Sequence, residues 1–542
     1  MSAESAHEYP VLIAGGGLVG LSAAMFLAQH NVASLAIERL SGASQLPRAA
    51  FFHMRTIELF RAAGIEAEVR EQSLKEFMPE GAIVLMDTLA GKQLAAFIPS
   101  LNEGVDALSP CRRLFVTQPG LEPILRRRAE MAGASVLNGH EVIGVDQDAD
   151  GVTVTAREES SGREIRLRAK YLIGADGAHS KVRDLLGVEF DGRGVFSNSM
   201  TIYFRANLAP WLLNKPLSVI YIGNPVLGGF FRMDKDCQAG FLCVNTVGDP
   251  KQNPAAASNA SADVSEQRLI DLVRAGVGDP NLPVKIDGIS RWRATSDVAR
   301  RFQAGRVFLA GDAAHLMPPN GGFGGNTGIH DAHNLAWKLA MVLQQKAGAE
   351  LLETYEVERK PVGKFTVEQA YTRYVTRTAP YLGAKDFEPP ANDFNIELGY
   401  LYRSPGIMSE DQDDKVHDDP HQTFGRPGSR APHVWLERDG GRVSTIDLAS
   451  QTFTLVAGPE GEAWCTAARA AANQLGIKLE AHRVNGGGLR DADGGFLQAY
   501  GLPAAGAALI RPDGFVAWRA KSPPSNPETT MAWVLRSILR MH

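Results

Sequence analysis

The residue types best suited to chemistry lie in one stretch, 305–340. A short apolar run predicts a buried strand that ends at Gly311 and Asp312, where a carboxylate can meet a ligand hydroxyl. A loop with two prolines and five glycines follows, and it leads into a helix predicted from about Ile329. The start of a helix carries unpaired N–H groups and a partial positive charge, and a glycine-rich approach lets a large flat ligand lie on that backbone. The stretch therefore predicts a ligand site.

A second glycine motif follows the first predicted strand and has the spacing GxGxxG, at Gly15, Gly17 and Gly20. A helix and a second strand come next, and the second strand ends in Glu38. In this order the glycines let a pyrophosphate approach the start of the helix, and an acid about 20 positions on holds a ribose hydroxyl. Arg39 either lies against an adenine or is a solvated charge at the strand end. The arrangement predicts a nucleotide-binding βαβ unit.

A third motif ends another predicted buried strand. Asp176 and Gly177 follow that strand, and Ser180 and Arg183 lie on the next turn. Small residues at this point let a pyrophosphate come close to the backbone. Alone the motif would indicate only a turn, but with the other two it indicates one dinucleotide held by three strand ends.

The three motifs together resemble those of the FAD-dependent aromatic hydroxylases, the single-component flavoprotein monooxygenases, in their phenol-hydroxylase-like branch. The segment GDAAH followed by PP-x-GG-x-G-x-NTG-x-x-DA-x-NLAWKLA is similar to the ribityl-binding motif of that family. It departs from the family pattern at Phe323, Gly325 and His330, where the family usually has Gln, Met and Gln. These positions lie on the loop expected to touch the isoalloxazine ring.

The resemblance also implies contacts from Arg48 and Gln118 to FAD. The complete set of residues predicted to bind FAD is Gly15, Gly17, Gly20, Glu38, Arg39, Arg48, Gln118, Asp176, Gly177, Arg183, Gly311, Asp312, Pro319, Gly322, Gly324, Gly325, Asn326 and Thr327.

A proton acceptor for the substrate is less clearly marked. Some phenol hydroxylases have an acid two residues after the arginine that corresponds to Arg48, and this chain has Ala50 there. His53 is the nearest titratable residue, with a reference pKa suited to proton transfer near neutral pH, and its alternative role is structural, hydrogen-bonded to backbone. Tyr221 is the rival candidate. The helix start at 326–329 is expected to stabilise the negative charge of reduced flavin.

The reaction implied by the resemblance uses NAD(P)H and O2. NAD(P)H reduces the FAD, O2 adds at the C4a carbon of the flavin, and the hydroperoxide transfers one oxygen atom to an electron-rich, phenol-like or hydroxypyridine-like ring. Two alternatives stay open: a flavin-dependent epoxidase or dehydrogenase of the same fold, and a non-catalytic flavin-binding scaffold.

The predicted fold class is α/β, with a Rossmann-like FAD-binding domain, an inserted α+β substrate domain and a C-terminal thioredoxin-like domain. The FAD-binding domain is assigned to 1–188 and 293–385, and the substrate domain to 189–292 with parts of 74–108. Residues 386–424 are rich in Pro, Asn, Asp and Glu and read as an extended linker or surface belt. Residues 425–542 form the last domain, which lacks CxxC and is expected to be structural.

Composition narrows the function classes further. The 542 residues carry a net charge of -5 with no basic run, so we expect no nucleic-acid partner. No apolar run approaches the roughly 20 residues of a membrane span, and the N-terminus lacks a signal peptide, which favours a cytoplasmic protein. Four scattered cysteines and the isolated histidines His315, His330 and His333 predict no metal site. Family members are often homodimers, so a homodimer is possible.

Overall fold

The structure is a computed structural model that describes residues 8–42, 50–248, 260–383, 387–449 and 451–541. In chain order its strands are β1 (Glu8–Ala14), β2 (Ser34–Glu38), β3 (Phe51–Phe52), β4 (Ala82–Met86), β5 (Gln93–Ile98), β6 (Leu114–Phe115), β7 (Ser135–Asn138), β8 (His140–Gln147), β9 (Val152–Glu158), β10 (Glu164–Gly174), β11 (Phe190–Arg205), β12 (Leu217–Gly223), β13 (Leu227–Met233), β14 (Ala239–Val247), β15 (Lys285–Ala299), β16 (Gln303–Ala304), β17 (Val307–Leu309), β18 (His315–Leu316), β19 (Trp435–Arg438), β20 (Gly441–Ser444), β21 (Phe453–Ala457), β22 (Leu479–Arg483), β23 (Ala507–Ile510) and β24 (Val516–Ala520).

The α-helices are α1 (Leu18–Gln29), α2 (Met54–Ala62), α3 (Glu66–Glu76), α4 (Gln118–Met131), α5 (Lys181–Leu185), α6 (Ala209–Leu212), α7 (Glu266–Val277), α8 (Phe323–Leu343), α9 (Thr354–Arg377), α10 (Asp393–Glu397), α11 (Thr445–Leu448), α12 (Glu462–Leu475), α13 (Phe496–Ala499) and α14 (Pro527–Ile538). Across the described residues, none of the helices is both long enough and apolar enough to cross a membrane.

The first large sheet brings the three predicted strand ends to one edge. Its strands β17, β10, β1, β2 and β7 are parallel neighbours in that order. Ala14 at the end of β1 lies opposite Gly174 of β10 and Ile37 of β2, and Gly174 lies opposite Leu309 of β17. The central strands are apolar along most of their length because helices cover the sheet. The residues that follow these strands therefore meet at one carboxyl edge.

The second large sheet has a buried core on one face only. Its order is β18-β15-β11-β14-β13-β12-β4-β5, so the N-terminal strands β4 and β5 form one of its edges. One face packs against α7, with residues such as Phe231 and Leu272 in a common core. The opposite face carries aromatic and polar side chains, including Tyr221, Phe230 and Asn245, as the alternation of side chains along a strand requires. This second face is turned towards the loop before α8, since Asn320 contacts Tyr221.

The C-terminal region has its own four-stranded sheet, ordered β22-β21-β23-β24. Strands β21 and β22 are parallel and connected by α12, whereas β23 and β24 are antiparallel and followed by α14. This is the connectivity of a thioredoxin-like domain. The predicted α/β fold class is confirmed.

The segment before this domain is partly buried and partly exposed. Although residues 386–424 are rich in acidic residues, Tyr400 and Tyr402 are each 2% exposed. Glu397 forms a buried ion pair with Arg113, at 2.9 Å between Oε1 and Nε. Aromatic residues placed between the acids anchor the described part of the segment, so it is not an extended linker.

Candidate functional site

The turn between β1 and α1 is too tight for side chains at two of its glycines. Gly15 has a φ of 103°, and a Cβ added there would lie 2.3 Å from the carbonyl oxygen of Ala175. A Cβ at Gly20 would lie 1.9 Å from the carbonyl oxygen of Gly15. Gly17 caps α1 without any side-chain hydrogen bond to the free N–H groups. The turn therefore presents bare backbone donors, as a pyrophosphate site requires.

Glu38 lies at the end of β2, beside this turn. Its carboxylate accepts hydrogen bonds from the N–H of Gly16 at 2.6 Å and from the N–H of Leu40 at 2.8 Å. These bonds hold the side chain at the sheet edge, in the position expected for a ribose-binding acid. The adjacent Arg39 is exposed.

The residues after β10 form the floor of the same edge. The Asp176 carboxylate accepts hydrogen bonds from Ser180 Oγ at 2.5 Å and from the N–H of Val182 at 3.0 Å, so it caps the short helix α5. Burial raises the pKa of Asp176. Gly177 has a φ of 84° and open space where a side chain would be. Arg183 is stacked on Phe190, with its guanidinium carbon 4.2 Å from the ring centroid.

The end of β17 packs directly against α1 and α8. A Cβ at Gly311 would lie 2.8 Å from Val19, and one at Gly328 would lie 2.9 Å from the Cα of Gly311. Asp312 is exposed at the sheet edge, close to Gly324 of α8. The two strand-end acids Glu38 and Asp312 thus project from the same edge, one on each side of the nucleotide turn.

Asp331 is a buried anchor for this edge that the sequence analysis did not select. Its carboxylate accepts hydrogen bonds from the N–H of Gly311 at 3.0 Å, from His315 Nε2 at 2.7 Å and from Arg359 Nε at 2.7 Å. Burial opposes ionisation, but Arg359 and His315 outweigh it and lower the pKa of Asp331. The sequence did contain one sign of this role, because Asp331 is an acidic residue within an otherwise mostly apolar helical pattern.

Helix α8 begins earlier than predicted. It starts at Phe323 rather than near Ile329, and its N-cap Gly322 has a φ of 70°. The N–H groups left without a partner within this helix are therefore those of 323–325, and not those of 326–329, while the N–H of Gly322 donates to the carbonyl oxygen of Pro319 at 3.0 Å. The prediction failed because glycines were taken to end helical structure, whereas two of them lie in its first turn. Pro319 is exposed on the loop that leads to this helix start.

The side chains of Asn326 and Thr327 face the protein. Asn326 Oδ1 accepts hydrogen bonds from the N–H of His53 at 2.9 Å and from Thr56 Oγ1 at 2.6 Å. Its Nδ2 donates to the carbonyl oxygens of Phe51 at 2.9 Å and Gly322 at 2.7 Å. Thr327 Oγ1 donates to the carbonyl of Phe323 at 2.9 Å, within its own helix. The side-chain contacts of both residues thus position the loop.

His53 is buried at the N-cap of α2. Its Nε2 lies 3.1 Å from the carbonyl oxygen of Gly321, to which it donates, and its ring packs edge-on against Phe51 and Phe323. Burial lowers the pKa of His53, which keeps the ring neutral at neutral pH. Its catalytic role stays a prediction.

Tyr221 lies on the aromatic and polar face of the second sheet. It faces the loop 318–322 that leads into α8, which is called the glycine loop below. Asn320 Nδ2 donates a hydrogen bond to Tyr221 Oη at 3.4 Å, and the Tyr221 ring packs edge-on against Phe97. Burial raises the pKa of Tyr221, and the nearby Arg377 opposes that shift. The buried Asn320 Oδ1 has no hydrogen-bond partner among the described residues.

Gln118, which the resemblance predicts to contact FAD, lies at the start of α4. Its Nε2 donates to Glu122 Oε1 at 2.6 Å. Glu122 in turn lies close to Gly17, so this pair borders the nucleotide turn. Arg48 lies outside the described residues. No group of three or more His, Cys, Asp or Glu side chains with metal-binding geometry occurs in the described part of the chain.

These features fit FAD. Four adjacent strand ends provide bare glycine backbone for a pyrophosphate, two acids for ribose and ribityl hydroxyls, and a helix start for an electron-rich ring. The loop before that helix start lies against the aromatic and polar face of the second sheet, through the contact of Asn320 with Tyr221.

Comparison with known proteins decides the family. Residues 8–370 match the family described as FAD binding domain, and residues 425–540 match the family described as aromatic-ring hydroxylase, C-terminal. The chain belongs to the FAD-dependent aromatic-ring hydroxylases. The resemblance inferred from the three glycine motifs is confirmed, and with it FAD as the cofactor and aromatic monooxygenation as the reaction class.

Relatives of this hydroxylase cover its whole length. It is 47% identical over 538 residues to 4-methyl-5-nitrocatechol 5-monooxygenase from Burkholderia sp, with 98% of each chain covered. It is 38% identical over 563 residues to tetracenomycin A2 monooxygenase-dioxygenase from Streptomyces glaucescens, covering 99% of this chain and 97% of the relative. The hydroxylase also superposes on a ternary complex of aklavinone-11 hydroxylase with FAD and aklavinone, with a TM-score of 0.92, 35% identity and 100% coverage of both chains.

Proposed function

We propose that this hydroxylase inserts one oxygen atom of O2 into a substituted phenol or catechol, with NAD(P)H as the electron donor. The relative at 47% identity is named for a nitrocatechol, whereas the relative at 38% is named for tetracenomycin A2. The higher identity favours a single-ring substrate.

The observation that carries this proposal is the pairing of Asn320 and Tyr221. The Asn320 Oδ1 is buried with no partner among the described residues, and it belongs to a side chain whose Nδ2 contacts the Tyr221 hydroxyl. A buried acceptor without a donor costs about 1–3 kcal/mol, which a bound hydroxyl would recover. The pair lies between the glycine loop and the polar sheet face, where a substrate hydroxyl would bind.

The chain's own residues would hold the cofactor in a defined order along the sheet edge. The β1–α1 turn would bind the pyrophosphate, Glu38 a ribose hydroxyl and Asp312 a ribityl hydroxyl. The free N–H groups at the start of α8 would stabilise negative charge on the ring system. When bound, FAD supplies the electron transfer and the activation of O2, and the protein positions the ring and excludes water.

Tyr221 is the better candidate for contact with the substrate hydroxyl. Burial raises its pKa, so Tyr221 stays protonated at neutral pH and would exchange hydrogen bonds with the substrate oxygen. The neutral His53 is held by its bond to the carbonyl of Gly321, which suits a role in fixing the loop. Polarisation of the substrate hydroxyl raises the electron density of the ring that is attacked.

The substitution Tyr221→Phe tests this assignment. We expect kcat for hydroxylation to fall about 100-fold, as for the loss of a general acid or base, with FAD content unchanged. Steady-state product formation and the 450 nm absorbance of the purified protein measure the two effects.

His53→Gln is the matched comparison. Because His53 fixes the loop, we expect weaker FAD binding and a smaller loss of kcat once FAD is saturating. If Tyr221→Phe kept wild-type kcat while His53→Gln with full FAD lost it, the proton-handling role would belong to His53.

The formation of a hydroxylated ring separates this function from the two alternatives. An epoxidase or dehydrogenase would form no hydroxylated ring, and a scaffold would show no substrate-stimulated oxidation of NAD(P)H. A homodimer and a cytoplasmic location remain predictions, and light scattering of the purified protein would measure the first.

A further inference from the structure

Arg232 lies on the same face of the second sheet as Tyr221. Tyr221 on β12 is paired with Phe230 on β13, and Arg232 is two residues further along β13. Side chains two apart on a strand share a face, so Arg232 projects with Phe230 while Phe231 packs in the core beneath α7. Diagonal neighbours on one face are about 7–8 Å apart, which is comparable with the length of a substituted benzene ring.

Arg232 is buried and has no polar partner. It is 6% exposed, and its guanidinium carbon lies 4.6 Å from the ring centroid of Phe77 and 5.2 Å from that of Phe241. No side-chain hydrogen bond and no ion pair within 4.0 Å joins Arg232 to a residue in the described part of the chain, although Asp234 and Glu76 act on it from further away. The edge of the guanidinium, which carries its N–H donors, is therefore unused between two aromatic faces.

The other buried arginines are all paired. Among the described residues each of them has a carboxylate oxygen within 4.0 Å, as the ion pairs of these seven show: Arg55, Arg113, Arg183, Arg359, Arg373, Arg430 and Arg511. A buried cation without a partner is costly, and contacts with aromatic faces offset only about 0.5–2 kcal/mol of that cost. The exception at Arg232 therefore points to a ligand.

Two carboxylates act on Arg232, those of Asp234 and Glu76, and neither forms an ion pair with it. Glu76 is engaged elsewhere, since it accepts hydrogen bonds from the N–H of Thr117 at 2.6 Å and from Gln72 Nε2 at 2.7 Å. Burial lowers the pKa of Arg232 to about 10, with Asp234 and Glu76 opposing that shift. Arg232 is thus still a cation at neutral pH.

A strip of aromatic rings connects the glycine loop to Arg232. The Phe51 ring lies against Gly322, where an added Cβ would be 3.0 Å away. Phe51 is stacked on Phe115, with centroids 4.8 Å apart, and Phe115 is 5.9 Å from Phe77. Phe77 covers the Arg232 guanidinium. A flat ring lying along this strip would have one end at the loop and the other at Arg232.

We propose that Arg232 binds a pair of negatively charged oxygens on the aromatic substrate, a carboxylate or nitro group, at the end of the ring remote from the glycine loop. The planar guanidinium offers two parallel donors to such a pair. This assignment rests on the proposed function, because it takes the same face of the sheet as the substrate site. Tyr221 then contacts the hydroxyl end of the ring and Arg232 selects its substituent.

Ligand binding to the oxidised holoenzyme tests the proposal. Arg232→Met and Arg232→Lys are titrated with 3,4-dihydroxybenzoate, 4-nitrocatechol and 4-methylcatechol, and the change in flavin absorbance gives Kd. We expect Arg232→Met to raise Kd for the first two about 10- to 100-fold, the cost of one charged hydrogen-bonded pair, and to change Kd for 4-methylcatechol less than about 2-fold. Arg232→Lys should lie between Met and wild type.

Arg205→Met is the control, because Arg205 is an exposed arginine of the same sheet. It should leave all three Kd values unchanged. Equal changes for all three ligands in Arg232→Met, or none, would overturn the proposal. Loss of FAD and of the folded state in both Arg232 variants would assign a structural role instead and would also overturn it.

Failure of the proposed function gives a different result. Wild-type protein that oxidises NAD(P)H at the same rate with and without every phenol and catechol would contradict that function, whatever the Arg232 variants do. Wild-type protein that responds to the catechols, with Kd values indifferent to Arg232, would contradict only the assignment of Arg232.

Discussion

At the scale of single residues, the cofactor cleft depends on contacts that exclude a side chain. Gly20 packs so closely on Gly15 that α1 and β1 approach through backbone alone, and Gly15 in turn meets Ala175 at the end of β10. These contacts set the distance between the helix start and the sheet edge. A pyrophosphate can then reach the helix N–H groups without a side chain in between.

Gly20→Ala should therefore abolish FAD retention. The added Cβ would lie 1.9 Å from the Gly15 carbonyl oxygen, so α1 must move away from β1. We expect purified protein with less than about a tenth of the wild-type ratio of 450 to 280 nm absorbance, since a shift of the helix removes several donors at once. Gly288→Ala is the control, because nothing lies within 4 Å of a Cβ there. A yellow Gly20→Ala protein with normal FAD affinity would contradict the placement of the pyrophosphate.

At the scale of elements, the side-chain amide of Asn326 joins α2, α8 and the glycine loop. Asn326 accepts hydrogen bonds from the first turn of α2 and donates to the carbonyls of Phe51 and Gly322. The helix start that faces the ring of the cofactor is thus fixed by a side chain inside the helix. Its position is coupled to His53 through the same amide.

Asn326→Ala should weaken FAD binding more than it weakens the fold. Four hydrogen bonds are lost close to the loop, and unsatisfied buried groups cost about 1–3 kcal/mol each, so we expect the Kd of FAD to rise at least about 10-fold. Asn334→Ala is the matched control, because Asn334 is a buried asparagine of the same helix that bonds to Glu358 instead. Titration of apoprotein with FAD, together with urea unfolding, separates the two effects. An equal loss of FAD affinity in both variants would contradict a local role for Asn326.

The elements around the cofactor could be predicted from sequence because their signals are local. A strand, a glycine turn, a helix and a strand-end acid follow one another within a few dozen residues, so Gly15, Gly20 and Glu38 could be assigned to one turn without a structure, and the structure places them there. The start of α8 was missed because loop glycines can also be helical. Asn320 and Asp331 carry no local pattern, since their importance comes from partners at Tyr221 and Arg359.

At the scale of the whole molecule, a buried ionic network joins the C-terminal domain to the FAD-binding domain. Arg511 donates to both oxygens of Glu358, at 2.6 and 2.9 Å, and to Asp513. Lys338 of α8 also donates to Glu358, at 2.8 Å, and burial lowers the pKa of Lys338 to about 8. The thioredoxin-like domain, which has no CxxC, thus stabilises α8 and α9 through this network.

Arg511→Met should strongly destabilise the protein. Removing one partner of a buried ion pair leaves the other uncompensated, so we expect the free energy of unfolding to fall by roughly 3–5 kcal/mol. Arg490→Met is the control, because Arg490 is an exposed arginine of the same domain that pairs with a partly exposed Glu437, and its loss should cost less than about 1 kcal/mol. Urea unfolding followed by tryptophan fluorescence measures both. Equal midpoints for the two variants would contradict a stabilising role for the network.

Contacts between residues far apart in the chain could not be predicted from the sequence. The acidic composition of 386–424 predicted an extended linker or a surface belt, and it gave no sign that Tyr400 and Tyr402 are buried in contact with His330 and Arg359. Likewise, Arg232 is an ordinary arginine in sequence, and only the register of β12 and β13 puts it beside Tyr221 on the polar face.

Isotope labelling during a single turnover tests the central claim most directly. The holoenzyme is first reduced with NAD(P)H in the presence of a catechol that accelerates flavin bleaching. It is then mixed with oxygen-18 gas, and the mass of the product is measured by mass spectrometry. We predict a hydroxylated ring that carries one heavy oxygen atom derived from the gas. A product without the label, or hydrogen peroxide with unchanged catechol for every substrate tried, would contradict the account.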